Sequence, residues 1–304
     1  MSERLLPRLE EHGYRGRVVA IHRLQDLQDA IEDGYRHGLL DEEVYRRYLA
    51  GFAYRPPVEL PEARSLIVVA YPDPQVRFTF GWRGERMRLD VPPTYLHGRA
   101  KDVQIESLLN GLLSPRGYRA VRTSAPHKRL AVCSGLAEYG KNNIAYVAGM
   151  GSFHRLVTFC SDLPCERYEW REPRMLERCE RCQACRHVCP VDAIMAEQFL
   201  LRAGRCITFW NEKPWQVPFP EWMDAAGHNS LVGCMHCQRA CPENRMVLDR
   251  HEEGAEFPEE ETTQLLEAVT VAALPAALVE KLQHWDLLEL LDVLPRNLRA
   301  LLER

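Results

Sequence analysis

The 304-residue sequence lacks any apolar run long enough to span a bilayer. Its most hydrophobic stretch, Ala268 to Val279, is short and broken by Pro275. No secretory leader is expected, since Met1-Ser2-Glu3-Arg4 is charged from the outset. It lacks a surplus of positive charge: 39 Lys and Arg against 43 Asp and Glu leave −4, without the basic footprint that a nucleic-acid partner usually demands. No internal period long enough for a solenoid is visible. A nucleotide-type phosphate loop is excluded as well, because its eight-residue Gly-to-Lys-Ser/Thr spacing is missing. With 46% hydrophobic and 27% charged residues, these absences predict an ordinary cytoplasmic protein of two domains, with no membrane and no nucleic acid.

Cysteine is abundant: 11 residues, most of them between Cys179 and Pro242. The first run is Cys179-x2-Cys182-x2-Cys185-x3-Cys189-Pro190, the second Cys234-x2-Cys237-x3-Cys241-Pro242. This spacing wraps three thiolates around one face of an iron–sulfur cubane and passes the fourth, before proline, to a neighbouring cluster. A zinc site needs four ligands and would not use two crossed runs. Disulfides between cysteines two residues apart would be strained, and nothing suggests secretion. Two cubanes need eight thiolates, and the runs supply seven, because Leu231 stands where the second run would begin. Cys206, in Arg205-Cys206-Ile207-Thr208-Phe209-Trp210, is the natural eighth. The assignment is Cys179, Cys182, Cys185 and Cys241 for one [4Fe–4S] cluster, and Cys189, Cys206, Cys234 and Cys237 for the other. Were Cys206 a small core residue instead, the second site would hold three irons or leave one iron open. Cys133, Cys160 and Cys165 are left over as buried thiols. Trp210, Trp215 and Trp222 are expected to screen the second cluster from water.

Upstream, strands and helices are mixed. Val18 to Ile21 reads as a buried strand, and Leu24, Leu27, Ile31 and Tyr35 recur at helical spacing. Leu66 to Tyr71 is a continuous β-branched run suited to a central strand. Val76, Phe78, Phe80 and Trp82, then Met87, Leu89 and Val91, alternate around Arg83-Gly84-Glu85, which predicts a hairpin. A helix over 99–114 would bury Val103, Leu108, Leu109 and Leu112, and Ala120-Val121 would open a strand. Two glycine-rich stretches follow, Ser134 to Asn143 and Gly149 to Phe153; they are either tight turns or places where backbone approaches a ligand. Phe153 to Phe159 is the next strand. Beyond the cysteines, Glu252-Glu253-Gly254 and Glu259-Glu260-Glu261 read as an acidic linker. Leu278, Leu282, Trp285 and Leu288 then stripe a helical tail, with Leu287, Leu291 and Leu294 beside them.

The cysteine region and the glycine stretches together resemble the epoxyqueuosine reductase family, corrinoid-dependent iron–sulfur reductases related to reductive dehalogenases. The resemblance rests on Cys206-Ile207-Thr208-Phe209 between the runs and on Gly233-Cys234-Met235-His236-Cys237-Gln238-Arg239-Ala240-Cys241-Pro242-Glu243-Asn244. Gly140-Lys141-Asn142, Gly151-Ser152, Ser161-Asp162-Leu163-Pro164 and Pro61 to Ile67 extend it over roughly residues 55–250. It implies an α+β architecture. A nitroreductase-like corrinoid and substrate domain (1–170) would precede a bacterial-ferredoxin-like double-cluster domain (171–250) and a helical tail (251–304). Cofactors would be two [4Fe–4S] clusters and cobalamin. Tyr95, His97, Gly135, Gly140, Lys141, Asn142, Gly151, Ser152 and Asp162 would be cofactor-binding. A flavodoxin or ferredoxin would donate electrons.

The chain departs from the family in two places. Where the family carries a catalytic aspartate in a Val-Asp-Thr motif, Val121 and Thr123 flank Arg122. A guanidinium cannot act as a general acid near neutral pH, but it can grip an anionic group. The family's Gly-Trp is Glu138-Tyr139 here, which makes Tyr139 a second catalytic candidate, as proton donor or as packing over the cofactor. The tail is shorter than the helical repeats with which the family grips tRNA. These differences predict a small-molecule substrate other than tRNA epoxyqueuosine. The alternatives are an electron-transfer protein that reduces a corrinoid partner, and a cobalamin-free reductase using flavin.

Overall fold

The computed structural model describes residues 2–196, 199–268 and 270–303. Among them nine strands form: β1 (Arg15–Ala20), β2 (Ser65–Pro72), β3 (Gln75–Trp82), β4 (Glu85–Val91), β5 (Ala120–Thr123), β6 (Glu138–Tyr139), β7 (Ala145–Tyr146), β8 (His154–Ser161) and β9 (His251–Phe257). The chain divides into two compact units. One comprises Met1–Pro72, Gly98–Gln183 and Ile194–Ala203; the other comprises Asp73–His97, Ala184–Ala193 and Gly204–Arg304. These units interleave along the sequence, so their limits differ from the boundaries drawn at 170 and 250.

The first unit is built on an antiparallel sheet of order β1-β2-β8-β5. Its central strand, β2, shows why a continuous apolar run suits an interior position. Leu66, Val68 and Ala70 enter one core with Leu24 and Leu27 of the helix Arg23–Arg36 and Leu130 of the helix His127–Cys133. Ile67, Val69 and Tyr71 enter the other, with Leu5 and Leu9 of the helix Ser2–Glu11 and Ile105, Leu109 and Leu113 of the helix Gly98–Leu113. Each buried Leu, Ile or Val side chain stabilises the fold by about 1.5–3 kcal/mol. Helix Gly98–Leu113 turns its leucines inward as expected, with Leu109 buried and Leu108 and Leu112 packed against the same core, but Val103 falls outside that face. Asp102, Ile105, Leu109 and Leu113 are buried, whereas Val103 is half exposed. The stripe at 102, 105, 109 and 113 keeps the 3.6-residue period with its phase set by the sheet beneath.

In the second unit the hairpin β3–β4 turns on Arg83 and Gly84, both at positive φ as a two-residue hairpin turn requires. The supposed acidic linker is largely ordered. Glu252 to Gly254 lies in β9, paired parallel to β3, and Glu259 to Glu261 form the first turn of the helix Glu259–Glu267. The acids of β9 face arginines of β4: Glu256 meets Arg86 at 2.8 Å and Glu253 meets Arg88 at 2.7 Å. Both pairs are exposed and add at most about 1 kcal/mol each. Phe78, Phe80 and Phe257 share one core with Leu278 and Leu282 of the helix Ala276–His284 and with Leu294, Leu298 and Leu301 of the helix Leu294–Leu302. The tail and the β3–β4 hairpin therefore form a single folding unit, instead of the tail standing apart.

Candidate functional site

In the second unit, loops from separate parts of the sequence bring together Cys189, Cys206 and Cys234. Each of the latter two thiols is perturbed by the charge of its cysteine neighbours. Cys206 directly precedes the helix Ile207–Asn211, and its sulfur accepts hydrogen bonds from the backbone N–H of Thr208 and Phe209 and from the Thr208 side chain. The sulfur of Cys234 accepts from the His236 N–H, and that of Cys189 from the Ala193 N–H at 3.3 Å. Such N–H donors stabilise cluster thiolates and tune cluster potentials. Burial pushes the Cys206 thiol up and the Cys234 thiol up to about 12, so iron entering this site must displace protons. Among the described residues no two cysteines form a disulfide.

The loops are braced by side chains. Arg205 Nε donates to the Val191 carbonyl at 3.1 Å, tying the approach to Cys206 to the segment after Cys189. Asn211, fully buried, donates to the Gly233 carbonyl at 2.5 Å and accepts from the Gly233 N–H at 2.9 Å, next to Cys234. His236 takes a hydrogen-bonding role, with Nε2 2.9 Å from the Gly227 carbonyl. Leu231, at the missing cysteine position, is wholly buried, and its N–H donates to the Asp90 carbonyl at 3.0 Å. Trp210 meets Trp222 edge-on at 6.1 Å, but Trp222 is 43% exposed and stands at the rim.

Cys237 rides on the short helix His236–Arg239, packed against Ala184–His187, which carries Cys185. Cys179 lies in the turn Glu177–Glu180 of the first unit, and Cys182 donates its N–H to the Arg178 carbonyl there at 3.2 Å; Cys241 belongs to the second unit. Of the leftover thiols, Cys133 and Cys160 are buried with their thiols pushed up to about 11 by desolvation; Cys165 is half-buried and donates to the Val18 carbonyl at 3.5 Å.

Tyr95 and His97 also belong to the second unit. Tyr95 donates its hydroxyl to Glu212 Oε1 and presses on Gly233, where an added Cβ would come 2.7 Å from the tyrosine oxygen. The His97 N–H donates to Asp286 Oδ2 at 2.7 Å, and its ring lies 5.6 Å from that of Trp285. Both residues are used in bracing this unit's own loops.

The first unit holds the glycine stretches. Gly140, Lys141, Asn142 and Asn143 form the turn of the β6–β7 hairpin. At Gly140 a Cβ would lie 2.5 Å from Asn142 Oδ1 and from the Tyr146 ring, so glycine is obligatory there. Asn142 Nδ2 donates to Tyr146 Oη at 3.0 Å. Lys141 is 2% exposed, and no partner for its ammonium lies among the described residues. A buried cation without a counter-charge is costly unless a ligand supplies acceptors. Tyr139 stacks on Phe199 with ring centroids 4.5 Å apart; burial raises its pKa well above the ordinary value, so the phenol keeps its proton.

In the second glycine stretch Gly151 has positive φ, and its carbonyl accepts the Val147 N–H at 2.9 Å and lies 3.1 Å from His154 Nδ1. Desolvation holds His154 at about 4, so the ring is neutral at pH 7; with Nδ1 as the donor to Gly151, Nε2 is an acceptor. Ser152 is buried beside it. Gly135 serves packing, since a Cβ there would lie 2.4 Å from the Glu169 carboxylate. Asp162 is separated from this cluster by the eight-residue β8, which spans about 25 Å when extended. There its carboxylate accepts the Arg119 N–H at 2.8 Å.

Arg122 points at a carboxylate that the sequence reading missed. Asp102, buried on the helix Gly98–Leu113, accepts from Tyr71 Oη at 3.0 Å and from Arg122 Nη1 at 3.3 Å, with Arg155 Nε at 3.6 Å. Two guanidiniums thus share one carboxylate, and a Cβ at Gly98 would lie 2.4 Å from the Arg155 guanidinium. The available signal was an acid on the buried phase of an amphipathic helix.

Residues 178–244 match the 4Fe-4S double cluster binding domain. The chain is 26% identical to the epoxyqueuosine reductase of Staphylococcus aureus over 244 residues, 73% of this chain and 58% of that protein. It is 34% identical to that of Pseudomonas aeruginosa over 148 residues, 47% of this chain and 39% of the relative. The chain is similar in sequence to epoxyqueuosine reductases. Its fold agrees with theirs. The structure of the Streptococcus thermophilus epoxyqueuosine reductase superimposes with a TM-score of 0.70 at 16% identity, covering 99% of this chain and 80% of the other. A structure of an epoxyqueuosine reductase with a modified tyrosine tRNA stem loop gives 0.66 at 21% identity, covering 99% and 79%. The alignments span little more than half the length of the S. aureus relative and less of the P. aeruginosa one. These similarities give the chain an α+β fold with a [4Fe–4S] double-cluster region. Among the described residues no helix is long and apolar enough to cross a membrane.

Proposed function

We propose that the chain is a cobalamin-dependent iron–sulfur reductase that draws electrons from a flavodoxin or ferredoxin and acts on a small anionic molecule other than tRNA epoxyqueuosine. The observation that carries the reading is the convergence of Cys189, Cys206 and Cys234 from three separate loops. With Cys237 they make a four-thiolate set; Cys179, Cys182, Cys185 and Cys241 make the other.

The glycine stretches fit a corrinoid in one respect: Lys141, 2% exposed, has no side-chain partner among the described residues and is available to an acceptor on a ligand. Gly140, Lys141, Asn142, Gly151 and Ser152 would hold the group through backbone and side-chain donors. When bound, it supplies a strongly reducing cobalt centre. The chain's own contribution is binding and charge. Tyr139, stacked and reluctant to ionise, packs over this region in preference to delivering a proton. Arg122, partly exposed beside Asp102, presents a guanidinium that suits a carboxylate or phosphate on the substrate.

Arg122 stands where relatives carry a catalytic acid, and this supports a substrate unlike theirs. Anaerobic assay of the reconstituted protein against epoxyqueuosine-modified tRNA stem loop tests the point. No conversion is expected; conversion at a rate comparable to a full-length epoxyqueuosine reductase would contradict the substrate assignment. The same absence of an acid favours a second reading, in which the chain reduces the cobalt of a separate corrinoid protein. A corrinoid-protein reduction assay distinguishes the two.

A further inference from the structure

The C-terminal helix Leu294–Leu302 reaches back into the second cysteine set at two adjacent residues. Asn297, fully buried, donates through Nδ2 to the carbonyl of Asn211 at 2.7 Å and to the carbonyl of Leu231 at 2.9 Å. Arg296 donates to the carbonyls of Trp210 and Lys213, both at 2.9 Å, of Pro214 at 3.4 Å, and of Val217. Its guanidinium lies 4.1 Å over the ring of Phe219. Trp210 passes the restraint on, donating Nε1 to the Gly204 carbonyl at 2.7 Å, two residues before Cys206. One pair of side chains therefore grips the segment leaving Cys206 and the segment entering Cys234.

In an unbroken ferredoxin run a short loop sets the distances among its own three sulfurs. Here one ligand comes from Cys206, 28 residues before Cys234, so the local loop cannot fix that separation. A third element must do so, and the carbonyl that Asn297 takes belongs to Leu231, the position where the run's own cysteine is missing.

We infer that Arg296 and Asn297 are positioning residues for the second cluster, and that the C-terminal helix sets the spacing between Cys206 and Cys234. This rests on the double-cluster reading. A purely structural role would weaken the whole protein without distinguishing one cluster from the other.

The test is anaerobic reconstitution of the full chain and of Asn297→Leu, Arg296→Gln and Arg296→Lys. Iron per chain and the EPR spectrum of the dithionite-reduced protein are measured, with near-ultraviolet circular dichroism as the check of folding. The parent is expected to take up about eight irons and show two interacting reduced clusters. Asn297→Leu and Arg296→Gln are expected to lose about half the iron and the interaction, keeping one cluster signal and the folded spectrum. Arg296→Lys, a single ammonium that cannot span four carbonyls, falls between. Full iron with an unchanged spectrum in both severe variants overturns the inference, and so does equal loss of both clusters. A parent that takes up no iron would instead defeat the double-cluster reading itself.

Discussion

Asp102 is a charged residue on a buried helix phase, and it shows how single positions carry the chemistry of this chain. Its carboxylate is compensated by Tyr71, Arg122 and Arg155. Arg122, read from sequence as a replaced acid, is thus part of a charge cluster whose carboxylate comes from another element. No periodicity could have linked positions 102, 122 and 155; they meet only because β2, β5 and β8 lie side by side. His154 offers a prediction at the same scale. Its pKa in the folded protein, about 4, lies below the ordinary 6.5, so the unfolded chain takes up the proton first as pH falls. The stability this residue contributes is complete above about pH 6.5 and is lost toward pH 4, by about 2 kcal/mol at pH 5. His154→Gln, which keeps a donor for Gly151, should show a smaller fall in urea midpoint between pH 7 and pH 5 than the parent. Equal falls would show that His154 is not held neutral.

Among elements, those with strong local patterns were legible: β2 from its unbroken apolar run, the β3–β4 hairpin from alternation around Arg83-Gly84, and Arg23–Arg36 from its spacing. β9 was not, because Glu252 to Gly254 has the composition of a linker and becomes a strand only by pairing with β3, its acids opposite Arg86 and Arg88. On Gly98–Leu113 only Val103 was misplaced, since the sheet sets the edge of the covered face. Tyr95 rests against Gly233, and Asp162 follows the end of β8, contacts that no local pattern encodes. Gly233 has a φ of 67° and no room for a Cβ beneath Tyr95. Gly233→Ala should cost about 1–3 kcal/mol through backbone strain and displacement of Tyr95. It should also weaken iron retention at the adjacent Cys234. Unchanged urea stability and iron content would contradict both expectations.

For the whole molecule, the cysteine arithmetic was the most readable feature: the spacing of seven cysteines in two runs points to two clusters, with Cys206 proposed as the eighth ligand. Less readable was that the second ligand set and the tail share a unit, with the β3–β4 hairpin and the C-terminal helices building the core behind that set. Those contacts join residues more than a hundred positions apart, and no local pattern encodes them. The central claim is that this chain holds two clusters together with a corrinoid. Metal analysis after anaerobic reconstitution with iron, sulfide and cobalamin tests it most directly. About eight irons and one cobalt per chain are expected; eight irons with no retained cobalt would contradict the claim.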